Sequence, residues 1–82
     1  MGKAIIVIQV FPAENADLTK LEAEIKKVQG YNKSAIEPFV FGAKIIRASF
    51  IYEDGKGIDY EEALKKIAGV SEIQVQEEGL IS

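Results

Sequence analysis

Lys3-Ala4-Ile5-Ile6-Val7-Ile8-Gln9-Val10-Phe11 is the stretch on which the fold turns. Ala4, Ile6, Ile8 and Val10 fall on one face at a period of two, and Lys3, Ile5, Val7 and Gln9 fall on the other. The run is dense in the β-branched side chains that suit a pleated surface, so it reads as a central strand. A second strand of the same kind spans Ala43 to Glu53, with Ile46, Ala48, Phe50 and Tyr52 on one side and Ile45, Arg47, Ser49 and Ile51 on the other. Two weaker strands complete the set. Tyr31 to Ile36 is short and mixed, as an edge strand is, and Glu37 and Pro38 interrupt it because proline brings no donor to a ladder. Val70 to Gln76 alternates through Ile73 and Val75.

Between the strands the period changes. Pro12 ends the first strand, and Asn15 and Asp17 offer side-chain oxygens that can cap a helix. Leu18, Leu21, Ile25 and Val28 then recur at spacings of three and four, while Lys20, Glu22, Glu24, Lys26 and Lys27 face water. Gly30 supplies the stop. Asp54-Gly55-Lys56-Gly57 breaks the Ala43–Glu53 strand. Asp59 with Glu62 three residues on makes a capping-box-like start, Ile58 can staple against Ala63, and a short helix buries Leu64 and Ile67 before Gly69 closes it. The order strand, helix, strand, strand, helix, strand predicts an α+β ferredoxin-like sandwich (βαββαβ), a four-stranded antiparallel sheet with two helices on one face. The other face is left bare, with Ile5, Val7, Ile45 and Ile51 pointing away from the helices, and that patch calls for a cover, a partner or a weak homo-oligomer through the open sheet face.

Eighty-two residues are expected to form a single domain over 1–82, since so short a chain cannot build a second core. Ten Lys and Arg against thirteen Asp and Glu give a formal charge of −3, which argues against direct nucleic-acid binding, whose footprint is a basic face. Cys and His are both absent, so disulfides, thiolate and imidazole metal sites, and Cys- or His-dependent nucleophilic catalysis are excluded. The longest apolar run, Ala4 to Ile8, has neither the length of a membrane span nor a cleavage signal beside it, and a cytoplasmic location without membrane contact is expected.

Few residues are arranged for chemistry. Asp54-Gly55-Lys56-Gly57 lacks the spaced glycines and the hydroxyl after lysine that hold a nucleotide and magnesium, and a strand-to-helix loop accounts for it. Glu61 with Glu62, and Glu77 with Glu78, are adjacent pairs whose side chains diverge by about 100° on a helix and about 180° on a strand, so both read as solvated. No catalytic residue, cofactor or metal is expected. The stretch Glu37-Pro38-Phe39-Val40-Phe41-Gly42-Ala43-Lys44 is different, because two phenylalanines lie in a turn bounded by proline and glycine where a loop tip is normally polar. Either ring can fold back onto the core, or one can stand out as a rigid apolar anchor for a partner's pocket.

This stretch resembles the Glu/Lys-Pro-aliphatic-small-Phe-Gly-aliphatic-Lys signature of the nucleotide-exchange domain of translation elongation factor 1-beta in its archaeal form. The likeness extends over nearly the whole chain, through the acidic Glu53-Asp54 loop to Gly69-Val70-Ser71-Glu72-Ile73-Gln74-Val75, with Pro-x-x-Phe-Gly as its specific core. The resemblance implies a guanine nucleotide exchange factor, not an enzyme, that binds the GTPase elongation factor 1-alpha and speeds GDP release so that GTP can load. By position it implies Phe41 as the inserted ring, with Pro38, Phe39, Gly42 and Lys44 around it as partner-binding residues. Eukaryotic relatives carry a lysine next to the C-terminal residue, where it reaches the magnesium and phosphate site. Here that position is Ile81, between Leu80 and Ser82. The competing class is a non-catalytic ferredoxin-like interaction or regulatory ligand-binding module, since the fold hosts both uses. A small hydrolase ranks last, its sole arginine, Arg47, lying inside a strand.

Overall fold

The computed structural model describes residues 2–53 and 59–81. The predicted Asp54–Gly57 break and the Ile58 staple fall outside the described residues. The elements run β1 (Lys3–Pro12), α1 (Leu18–Ile25), β2 (Tyr31–Pro38), a short 3-10 turn (Val40–Gly42), β3 (Lys44–Glu53), α2 (Tyr60–Lys65) and β4 (Val70–Leu80). The strands form one sheet in the order β2-β3-β1-β4, every neighbour antiparallel, as the ferredoxin-like α+β arrangement requires. The two longest apolar alternations, β1 and β3, sit at its centre.

One face of each strand meets the helices. Ile6, Ile8 and Val10 of β1, Ile46, Ala48 and Phe50 of β3 and Ile73 of β4 pack with Leu21 and Ile25 of α1 and Tyr60 and Leu64 of α2. The helices begin where side-chain oxygens satisfy their free N–H groups. Asp17 accepts from the Thr19 and Lys20 amides at 2.9 and 3.2 Å, and Asp59 accepts from the Glu62 amide at 3.0 Å. Asn15, the other predicted cap, instead takes a left-handed turn conformation at φ 66°. The α1 helix stops at Ile25 rather than reaching Val28, whose amide bonds to the Ile25 carbonyl while its side chain still packs on the core. Beneath α2, the Tyr60 ring stacks on Phe50 at 4.8 Å and its hydroxyl donates to the Gln29 carbonyl at 2.9 Å. Burial pushes the Tyr60 phenol above its ordinary value of 10.0.

Three strands run past their predicted ends. Pro12 stays in β1, opposite Val70 after a register shift, and β2 continues through Glu37 to Pro38. Proline is tolerated there because β2 is an edge strand and Pro38 is its last residue. β4 continues to Leu80 because a bulge re-phases it: Ile8 pairs with Val75 but Val7 with Glu77, leaving Gln76 as the extra residue. The bulge decides which face each of Glu77 and Glu78 takes. Glu77 lies opposite Val7 on the open side, and Glu78 joins the helix side, where it accepts a hydrogen bond from the Tyr52 hydroxyl.

The open face is less bare than its alternation predicts. Ile5, Val7 and Ile51 are half-buried there, and Ile45 is buried outright. Around them stand Lys33, Ser49, Glu77 and a Glu37–Arg47 ion pair of 3.1 Å. Among the described residues the exposed large apolar side chains gather instead at two ends of the sheet: Ile36, Phe39, Val40 and Phe41 at one, Leu80 and Ile81 at the other. No helix among the described residues is long and apolar enough to cross a membrane.

Candidate functional site

The turn between β2 and β3 is built by two backbone hydrogen bonds. The Phe39 amide donates to the Ala43 carbonyl at 2.8 Å, and the Ala43 amide donates to the Val40 carbonyl at 3.2 Å, so the five residues close on themselves. To reverse direction in so few residues the chain takes two left-handed steps in succession, at Phe41 (φ 57°, ψ 33°) and Gly42 (φ 78°). Gly42 does this at no steric cost, since it has no Cβ to meet the carbonyl. For Phe41 the same conformation costs roughly 1–2 kcal/mol.

The reversal sends the two rings to different places. Phe39, in extended backbone, lays its ring edge-on against Phe11 with centroids 5.2 Å apart and planes at 81°. Phe11 stands one residue beyond the Val10–Ile46 pair, on the open side of β1, and with Phe39 and Ile45 it forms a small apolar cluster separate from the main core. Phe41 touches none of this and is wholly exposed, at 103% of its reference accessibility, with Val40 beside it at 58%. Of the two rings, then, one secures the turn and the other is left bare.

Pro38, at the end of β2, pairs with Lys44 at the start of β3, and the Glu37–Arg47 ion pair ties the same strand ends together. Pro38, Phe39, Phe41, Gly42 and Lys44 therefore occupy one corner. Ile81 does not join them. Its amide donates to the Lys3 carbonyl at 2.8 Å, and Lys3 pairs with Glu53, nine residues along β3 from Lys44. At about 3.3 Å per residue, that places Ile81 about 30 Å away, at the opposite end of the sheet. Phe11, Val40 and Ile36 belong to the corner without having been singled out by sequence. The available signal was phase: Phe11 follows Gln9 on the open face, where a large aromatic at a strand end needs a partner.

Nothing in this corner resembles a reaction centre. Among the described residues no group of three acidic side chains is placed to hold a metal ion. Carboxylates elsewhere are engaged structurally, Glu62 with Lys66 at 3.1 Å and Glu22 with the Ser34 hydroxyl at 2.9 Å. What the corner offers is a fully exposed phenylalanine ring, with Lys44 paired to Pro38 at the adjoining strand ends.

Comparison with known proteins identifies the family. The family described as the EF-1 guanine nucleotide exchange domain matches residues 5–81. A protein of Archaeoglobus fulgidus named elongation factor 1-beta is 32% identical over 88 residues, covering 99% of this chain and all of that protein. Another of the same name, from Methanoculleus marisnigri, is 27% identical over 84 residues with the same coverage of both.

Proposed function

This chain belongs to the EF-1 guanine nucleotide exchange domain family, and from that membership we propose that it binds the GTPase elongation factor 1-alpha and accelerates its release of GDP. The observation that carries the proposal is the bare Phe41 ring, held out by a left-handed backbone in the family's signature turn. A GTPase grips GDP through a phosphate cradle and a magnesium ion that depend on ordered loops. A partner that binds the loosened form more tightly weakens GDP binding by the same factor, because linkage is reciprocal. Burying a phenylalanine side chain is worth about 1.5–3 kcal/mol, enough to favour such a form by one to two orders of magnitude.

In this mechanism Phe41 is the wedge, Pro38 and Gly42 fix its turn, Phe39 braces it, and Lys44 adds a rim charge that orients the encounter. Ile81 forms a second, apolar contact at the far end of the sheet. No covalent bond in a substrate is made or broken, so the chain acts as an exchange factor and not as an enzyme. The test is release of fluorescent GDP from the cognate elongation factor 1-alpha. The intact chain accelerates it, and Phe41→Ala lowers the rate at saturating factor. An intact chain that leaves release unchanged overturns the proposal.

A further inference from the structure

Beside the turn lies a groove walled by Phe11, Phe39 and Ala43 and completed by Ala13, Ala16 and Leu18, with a volume of about 380 Å³. We propose that this groove receives an apolar side chain of the same GTPase, so that docking is reciprocal: Phe41 enters the partner, and the partner enters the groove. The proposal rests on the exchange reading above and adds a further contact beside Phe41 to it.

Three observations carry it. The first is continuity. Phe39 and Ala43 are the groove's walls and also the two ends of the turn, joined by the Phe39 amide to Ala43 carbonyl bond. Each is two residues from Phe41, within about 8 Å along the chain. A typical interface covers about 800 Å² per partner, far more than the area of one ring. A surface that engulfs the whole Phe41 ring therefore also covers these walls. The second is size and lining. The volume is near the lower limit of small-molecule sites, and alanine methyls at 13, 16 and 43 leave the space between larger apolar neighbours, which suits one side chain better than a cofactor. The third is the rim. Glu14 and Lys44, opposite in sign, border the opening and supply the polar margin that surrounds the apolar centre of a protein interface. A partner that covered the groove without filling it would leave Phe11 and Phe39 facing a void, at the cost of the contacts both rings could make.

The experiment uses the full chain carrying carbon-13 methyl label on alanine, titrated with the unlabelled cognate GTPase bound to GDP. The Ala13, Ala16 and Ala43 signals are expected to shift as the complex forms. In parallel, Ala13→Leu fills the groove from the side away from the turn. It is expected to raise the factor concentration for half-maximal GDP release about tenfold while leaving the saturating rate unchanged. Phe41→Ala lowers the saturating rate, so the two contacts separate kinetically. Alanine methyls that stay unmoved at saturating GTPase overturn the groove proposal while the exchange reading stands. Shifts that grow with concentration of the labelled chain alone assign the groove to a second copy and also overturn it. Should Ala13→Leu fail to fold, the methyl titration of the unsubstituted chain decides. An unsubstituted chain that does not speed GDP release defeats the exchange reading itself.

Discussion

The Phe39 ring stands on edge against Phe11, and this contact braces the hydrogen-bonded turn that leaves Phe41 without a neighbour in its own molecule. Two aromatic residues separated by a single valine thus do opposite work. The difference is made by the backbone between them, which passes from extended at Phe39 to left-handed at Phe41.

Removing the wedge should cost little stability. Phe41→Gly relieves a left-handed conformation worth roughly 1–2 kcal/mol and gives back part of that through the greater freedom of glycine in the unfolded chain. The expected outcome is a urea midpoint equal to or above that of the unsubstituted chain, together with loss of accelerated GDP release. A drop in stability beyond about 1 kcal/mol would show that the ring supports the fold after all.

Phe39→Ala is expected to behave in the reverse order. Phe39 is about half-buried against Phe11, so truncation should cost about 1–2 kcal/mol, less than the 3–5 of a fully buried phenylalanine. Freed of its brace, the turn samples more conformations, and the factor concentration for half-maximal exchange rises. Thermal unfolding and a release titration on the same preparation measure both effects.

Gly30 is expected to tolerate no side chain. It sits at φ +86°, and a Cβ built there would stand 2.5 Å from the Tyr60 hydroxyl and 2.6 Å from the Ile51 carbonyl oxygen. Neither can retreat freely, since the hydroxyl is bonded to the Gln29 carbonyl and the Ile51 amide is bonded to Gly30 itself. Gly30→Ala should therefore destabilise by about 2 kcal/mol or more, read from chemical denaturation, with the far corner at Phe41 unaffected in what remains folded.

Alkaline pH should weaken the fold through Tyr60. Burial holds its phenol above the ordinary 10.0, so just above pH 10 the native state keeps a proton that the unfolded chain has lost. This contribution is fully present below pH 10 and is lost as pH rises through the native value. Tyr60→Phe, which forfeits about 1 kcal/mol at neutral pH with the Gln29 bond, should show a shallower fall in stability above pH 10 than the unsubstituted chain. Parallel slopes would remove Tyr60 from the alkaline transition.

Much of this architecture was legible because β1 and β3 alternate cleanly and because Asp17 and Asp59 mark helix starts by chemistry that needs no tertiary context. The far half of β4 was hidden for a physical reason. A bulge at Gln76 shifts the phase by one, so Glu77 and Glu78 break the alternation while the ladder continues to Leu80. At the turn, composition could identify the Pro-x-x-Phe-Gly stretch but could not choose between its rings, since that choice depends on the sign of φ at residue 41. Ile45 was misjudged as bare because its cover, Phe11 with Phe39, comes from strand and turn residues brought together only by the fold. Ile81, which resemblance matches to the near-C-terminal lysine of eukaryotic relatives, lies at the opposite end of the sheet from the turn.

The β4 bulge bears on what a molecule with a naked phenylalanine can risk. β4 is an outer strand with an unpaired flank, and such flanks recruit other strands and polymerise. Here the kink at Gln76 and the carboxylates of Glu72, Glu77 and Glu78 spoil that flank as a template, since a like-charged copy would have to match both the distortion and the repulsion. On this side, stickiness is thereby confined to side chains at the tip and kept off the backbone rail along which fibrils would grow.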